Sequence, residues 1–291
     1  MKGVVLHTLL PLRSEPRESA ELQTQLLFGE TVDVLAVDGR WAQLRNDTDG
    51  QSGWADAKIV NTVSDEMAQS YISARERATA RVFTPMAYAV TVNGIMTVPL
   101  VCGTLLPDYK EVPMGAGKAG VFTILGNQFK IDCSMVQPSA LPLTSERLRE
   151  ALCFLRNAPY LWGGKSVLGM DCSGLTQIVM SLFGVSLLRN AGEQVTQGRR
   201  ITGAEKGEAL KKPLTKANLR TVTAGDLAFF DHGDGKITHV GIMLKRDVIA
   251  HCSGKLKIEE ITPEGILSSE TNLLYKRGEL THRLHSIRRM T

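Results

Sequence analysis

Four turn dipeptides, Asp38-Gly39, Asp49-Gly50, Asn93-Gly94 and Gly126-Asn127, punctuate the first 137 residues. Around them lie TVDVLAV, WAQLR, AYAVTV and VFTILGNQFKI, which alternate or are rich in β-branched and aromatic residues. Many short strands with close turns lead to small antiparallel barrels. The exception is SDEMAQSYISARERATA (64–80), polar and helically spaced, which reads as a connecting helix. This places a first barrel at 1–62, a connecting helix with a second β block at 63–140, and a last unit at 141–291. GAGKAG (115–120) formally matches G-x-G-x-x-G, but a phosphate loop opens a helix, whereas VFTILGNQFKI follows here. It reads as a hairpin loop, and Ala119 after Lys118 rules out a Walker loop.

Charge narrows the function classes. Lys and Arg number 34 against 30 Asp and Glu, and a net +4 spread along the chain gives no nucleic-acid footprint. The late basic run YKRGELTHRLHSIRRM reads as a solvated terminal face. No window nears the roughly 18 apolar residues of a membrane span. At the N-terminus, His7 and Pro11 interrupt the apolar run after Lys2 and no small-residue cleavage site follows, so a cytoplasmic protein is expected. Five cysteines without a CxxC pair argue against a disulfide framework or zinc knuckle. Cys102, Cys133 and Cys153, set among apolar neighbours, read as inert core thiols.

The last unit segregates helices from strands, as in an α+β fold. Thr144 opens a helix expected to turn Leu148, Leu152 and Phe154 inward. A second begins at Cys172, where CSGLTQIVMSLFG sets Leu175, Ile178, Val179, Leu182 and Phe183 at helical spacing before Gly184. Asp171 and Cys172 then sit at the helix start, outside the buried stripe. Unpaired N–H groups and the helix dipole there favour a thiolate, whose pKa can fall from about 8.5 to roughly 3.5–7.5. Downstream, GDLAFFDHGDGKITHVGIML reads as a hairpin (226–231 and 237–244), and His251 ends a third strand. Adjacent strands can set His239 beside Cys172 and His251 behind His239. A structural role for a lone histidine and a Cys172–His239–His251 zinc site are the competing readings.

PYLWGGKSVLGMDCSGLTQ, GDLAFF, ITHVGIML and IAHCSGK together resemble the NlpC-type cell-wall peptidases, a branch of the papain-like cysteine peptidases, over about 150–260. LRSEP, LLFGE, Trp41 and Gly53-Trp54 resemble the bacterial SH3-like domain, and the second β block looks like a divergent copy. The resemblance implies a papain-like catalytic domain behind two small SH3-like barrels. It makes Cys172 the nucleophile, His239 the base and His251 its orienting partner, with no cofactor or metal. Tyr160 and Trp162 would line the cleft, with Ser173 and Arg189 among the residues meeting substrate.

The combination resembles the γ-D-glutamyl-L-diamino acid endopeptidases. These cut the amide between D-Glu and diaminopimelate or Lys in peptidoglycan stem peptides (L-Ala-γ-D-Glu-diamino acid) bearing a free N-terminal L-Ala, as in muropeptide recycling. Asp171 and Glu21 are then candidate partners of the α-ammonium. Asn190, where relatives usually show Asp, and Gln51, where Tyr is often found, depart from that pattern. A secreted endopeptidase acting on intact wall and a catalytically dead wall-binding module are the alternatives.

Overall fold

The computed structural model describes residues 1–78, 80–115, 117–139 and 141–290. The chain forms two compact units: Met1–Leu141 with Trp162–Val167 and Ser181–Ser186, and Pro142–Leu161 with Leu168–Met180 and Leu187–Thr291.

The first unit is mostly β. A seven-stranded antiparallel sheet runs in the order Leu22–Leu27, Leu9–Arg13, Ser52–Asp56, Trp41–Asn46, Thr31–Asp38, Lys2–Val4, Asn61–Val63. Alternation turns Leu10, Leu12, Leu26, Val32, Ala42, Leu44 and Ala55 into one core. A five-stranded sheet follows, in the order Thr97–Val101, Met86–Thr91, Asn127–Ile131, Gly117–Ile124, Lys110–Met114. The connecting helix spans Asp65–Glu76, its N-cap Ser64 accepting from the Met67 N–H. On its buried side, the Tyr71 hydroxyl and the Arg75 guanidinium donate to the Gly29 carbonyl at 2.9 and 2.7 Å. The 115–120 segment lies at the hairpin between Lys110–Met114 and Gly117–Ile124, with Ala116 outside the described residues.

The second unit carries helices Ser145–Leu155, Cys172–Ser181 and Ala191–Gln194 with a seven-stranded antiparallel sheet, an α+β arrangement. Its strand order is Arg199–Gly203, Leu280–Arg289, Leu227–Asp231, His239–Lys245, Val248–Ser253, Lys255–Ile261, Gly265–Leu267, and the last also pairs back to Leu280–Arg289. Among the described residues, no helix is long and apolar enough to cross a membrane.

Several local expectations are corrected. The first helix buries Leu148, Ala151, Leu152 and Leu155, whereas Phe154 is half-buried and Cys153 exposed. Cys133 is half-buried on a one-turn 3-10 helix, so only Cys102 of those three thiols is a core thiol. His251 lies inside its strand rather than at its end. Every residue from Cys172 to Met180 is buried, so the helix start is not outside the apolar stripe.

Candidate active site

Cys172 is the first residue of its helix and 7% exposed. Asp171 precedes it and caps the helix, Oδ1 accepting from the Gly174 N–H at 2.7 Å. The same carboxylate grips Arg189, itself 1% exposed. Nη1 donates to Oδ1 at 3.0 Å and Nη2 to Oδ2 at 2.6 Å, while Nη1 also reaches the Ser173 hydroxyl at 2.9 Å. An α-ammonium at Asp171 would therefore compete with a bidentate guanidinium. Asn190 is exposed and opens the next helix in a capping box with Glu193.

The sheet supplies the imidazoles. His239 starts its strand, and the N–H groups of Val240 and Ser173 point at the Cys172 sulfur, bringing the helix start to the His239 end of the hairpin. His239 Nε2 lies 2.9 Å from His251 Nδ1. His251 Nε2 lies 2.8 Å from Glu259 Oε2, and Glu259 Oε1 accepts from the Ser269 N–H at 2.7 Å and hydroxyl at 2.8 Å. Register explains the file. His251 pairs with Lys257, which puts Glu259 two residues further on the same face. His282 stacks on His239, centroids 4.2 Å apart and planes 28° apart.

Burial dominates the electrostatics at the centre of the site. Burial, then the Asp171 charge, pushes the Cys172 thiol up to about 12 against the pull of the Val240 and Ser173 N–H groups and of Arg189. Burial holds His239 well below its usual value, with His251 and His282 adding to it. Burial lowers His251 too, opposed by Glu259. Glu259 falls to about 2 because, against burial, the hydrogen bonds from His251 and Ser269 win. Burial thus works against the expected thiolate and favours the neutral form of His239.

Tyr160 is half-buried, and burial followed by the charges of Cys172 and Asp171 raises its phenol. Trp162 and Glu21 belong to the first unit, where Trp162 is 58% exposed and Glu21 is exposed. Sequence reasoning missed Glu259 and His282. The nitrogens of His239, His251 and His282 lie within 4.8 Å of one another. However, the near-parallel rings of His239 and His282 aim their lone pairs alongside each other, not at one tetrahedral ion.

Residues 157–273 match the NlpC/P60 family, and residues 12–58 match the bacterial dipeptidyl-peptidase SH3 domain. The γ-D-glutamyl-L-lysine dipeptidyl-peptidase of Bacillus subtilis strain 168 is 29% identical over 245 residues, 79% of this chain and 72% of that protein. Dipeptidyl-peptidase 6 of Lysinibacillus sphaericus is 23% identical over 262 residues, 87% of this chain and 88% of that protein. A crystal structure of an NlpC/P60 family protein from Bacillus cereus matches with a TM-score of 0.73 at 18% identity over 99% of each chain, a likeness of fold. The chain thus carries an NlpC/P60 domain, the domain of a family of cysteine peptidases, behind a bacterial dipeptidyl-peptidase SH3 domain.

Proposed function

We propose that the chain hydrolyses the γ-D-glutamyl-L-diamino acid amide of peptidoglycan stem peptides that begin with a free L-Ala. The observation that carries this reading is the buried file His239–His251–Glu259 ending beside a cysteine at a helix start. The two relatives described above, one named for the γ-D-glutamyl-L-lysine bond, support the substrate class.

In this reading Cys172 Sγ attacks the γ-carbonyl carbon while its proton passes to His239. Backbone N–H groups at the helix start stabilise the oxyanion. The C–N bond breaks, the diamino acid amine leaves with the proton from His239, and a thioester remains. Water then attacks the thioester as His239 takes its proton, and the thiol departs with that proton to restore the site. Asp171, Arg189 and Ser173 form a charge-paired support under the nucleophile. Tyr160 and Asn190 are the proposed substrate-facing groups of the unit that holds Cys172. Recycling of released peptides places the enzyme in the cytoplasm, which cell fractionation tests.

Mass spectrometry of synthetic tri- and tetrapeptides, with and without N-acetylation, is the deciding assay. Cleavage after D-Glu only in free-amine peptides is expected, and Cys172→Ala should abolish it while folding is retained. Equal cleavage of acetylated peptides or intact sacculi would replace the recycling reading with a wall-remodelling one.

A further inference from the structure

We infer that Glu259 is a positioning residue that sets the tautomer of His239 through His251, extending the Cys172–His239–His251 constellation by one member. The inference rests on the catalytic reading above and deepens it. An ionised carboxylate can only accept hydrogen bonds, so His251 Nε2, 2.8 Å from Glu259 Oε2, carries the proton. His251 Nδ1 is then a lone pair, and it can only accept across the 2.9 Å contact with His239 Nε2. His239 is thereby held as the Nε2–H tautomer, which leaves Nδ1 bare to take the thiol proton. Each link fixes the next, because a neutral imidazole has one donor and one acceptor.

Burial keeps the file ordered. His251 is 0% exposed and Glu259 3%, so water does not compete for these bonds. The carboxylate is also fixed from behind, since Oε1 accepts both the Ser269 N–H and hydroxyl. Those two donors make Glu259→Gln a directional test. The amide oxygen must face Ser269, because the amide NH2 there would oppose the Ser269 N–H. The NH2 then points at His251 Nε2 and forces it to accept. His251 becomes Nδ1–H, His239 must accept at Nε2, and its proton moves to Nδ1, where it blocks proton abstraction. The substitution preserves shape and inverts the relay.

The experiment is nitrogen-15 NMR of histidine-labelled full-length protein at neutral pH, with kinetics in parallel. The chain has six histidines, few enough to assign. Wild type should show His239 and His251 both as Nε2–H tautomers, and Glu259→Gln should show both as Nδ1–H. The variant's kcat should fall by about a hundredfold or more with KM little changed, since the wrong tautomer alone costs a serine-type triad about 10⁴ in kcat. A wild-type His239 carrying Nδ1–H would overturn the inference without any variant. So would a correctly folded Glu259→Gln protein with an unchanged His239 tautomer or a kcat within threefold of wild type. The tautomers are read without substrate, so a wrong assignment of the cleaved bond leaves this test standing.

Discussion

Replacing Arg189 with leucine isolates the support under the proposed nucleophile. The guanidinium donates to Asp171 at 3.0 and 2.6 Å and to Ser173 at 2.9 Å. Summed singly, at about 1.5–3 kcal/mol each, they would exceed 4 kcal/mol, but bonds from one rigid fork are not independent. The better measure is what remains: a carboxylate 6% exposed that keeps the Gly174 N–H at 2.7 Å and the Ser173 hydroxyl at 3.2 Å but loses the Arg189 charge. Breaking a buried pair from one side costs about 3–5 kcal/mol. With a shift of about 2–4 °C per kcal/mol, the unit holding Arg189 should melt roughly 6–20 °C lower.

The double variant Asp171→Asn with Arg189→Leu supplies the control. Asn retains an oxygen for the Gly174 N–H, so the helix cap survives while the orphaned charge disappears. The double variant should therefore be more stable than Arg189→Leu alone, with a coupling of about 2 kcal/mol or more in urea unfolding. Arg189→Leu should also slow alkylation of Cys172, because Arg189 opposes the rise of its thiol. A loss below 1 kcal/mol for Arg189→Leu, or two single losses that simply add, would refute the reasoning.

Three further outcomes follow from the site and its surroundings. Since burial pushes the Cys172 thiol up to about 12, iodoacetamide at pH 7 should label exposed Cys153 first, and Cys172 labelling should climb about tenfold per pH unit from 8 to 10; peptide mass spectrometry showing Cys172 labelled first at pH 7 would sink this. His239, His251 and His282 have folded values below the unfolded 6.5, His282 at about 4, so the unfolded chain binds more protons and the stability present above pH 6.5 is lost as pH falls toward 4. Each imidazole contributes a slope of about 1.4 kcal/mol per pH unit inside its window, and a urea midpoint flat from pH 7 to 4 would contradict it. Gly163→Ala should destabilise the first unit by about 1–3 kcal/mol, because Gly163 has φ +74° and a Cβ would meet the Leu22 carbonyl oxygen at 2.3 Å; an unchanged melting temperature would refute it.

The hairpin carrying His239 and the helix starting at Cys172 were legible because each depends on local signals. The hairpin has a glycine turn between alternating runs, and the helix an apolar period ended by Gly184 at φ +76°. Cys153 was legible in principle, since a stripe through Leu148, Ala151, Leu152 and Leu155 turns residue 153 outward. Its apolar neighbours misled. Glu259 was not legible. KLKIEEI offers two adjacent glutamates, and only the register that pairs His251 with Lys257 selects the first. His282 reaches His239 from a strand that begins at Leu280 and borders Leu227–Asp231, a non-local pairing with no sequence marker.

The thiol shows why position alone misleads. A helix N-terminus stabilises an anion by about 0.3–1 kcal/mol, up to about 2 in favourable buried geometry, which is at most about one and a half pKa units. Full burial can move a titrating group 3–5 units the other way. Local reasoning saw the smaller effect, because the larger one is created by the surroundings that enclose the whole helix from Cys172 to Met180. Asp171 adds to the upward push, so neighbouring charge does not restore the balance without Arg189. In the proposed mechanism the resting pair is then a thiol and a neutral imidazole, and the ion pair forms as the sulfur attacks. On that proposal, proton transfer to His239 Nδ1 is part of the bond-forming step, which is why the tautomer of His239 matters more than the resting charge of Cys172.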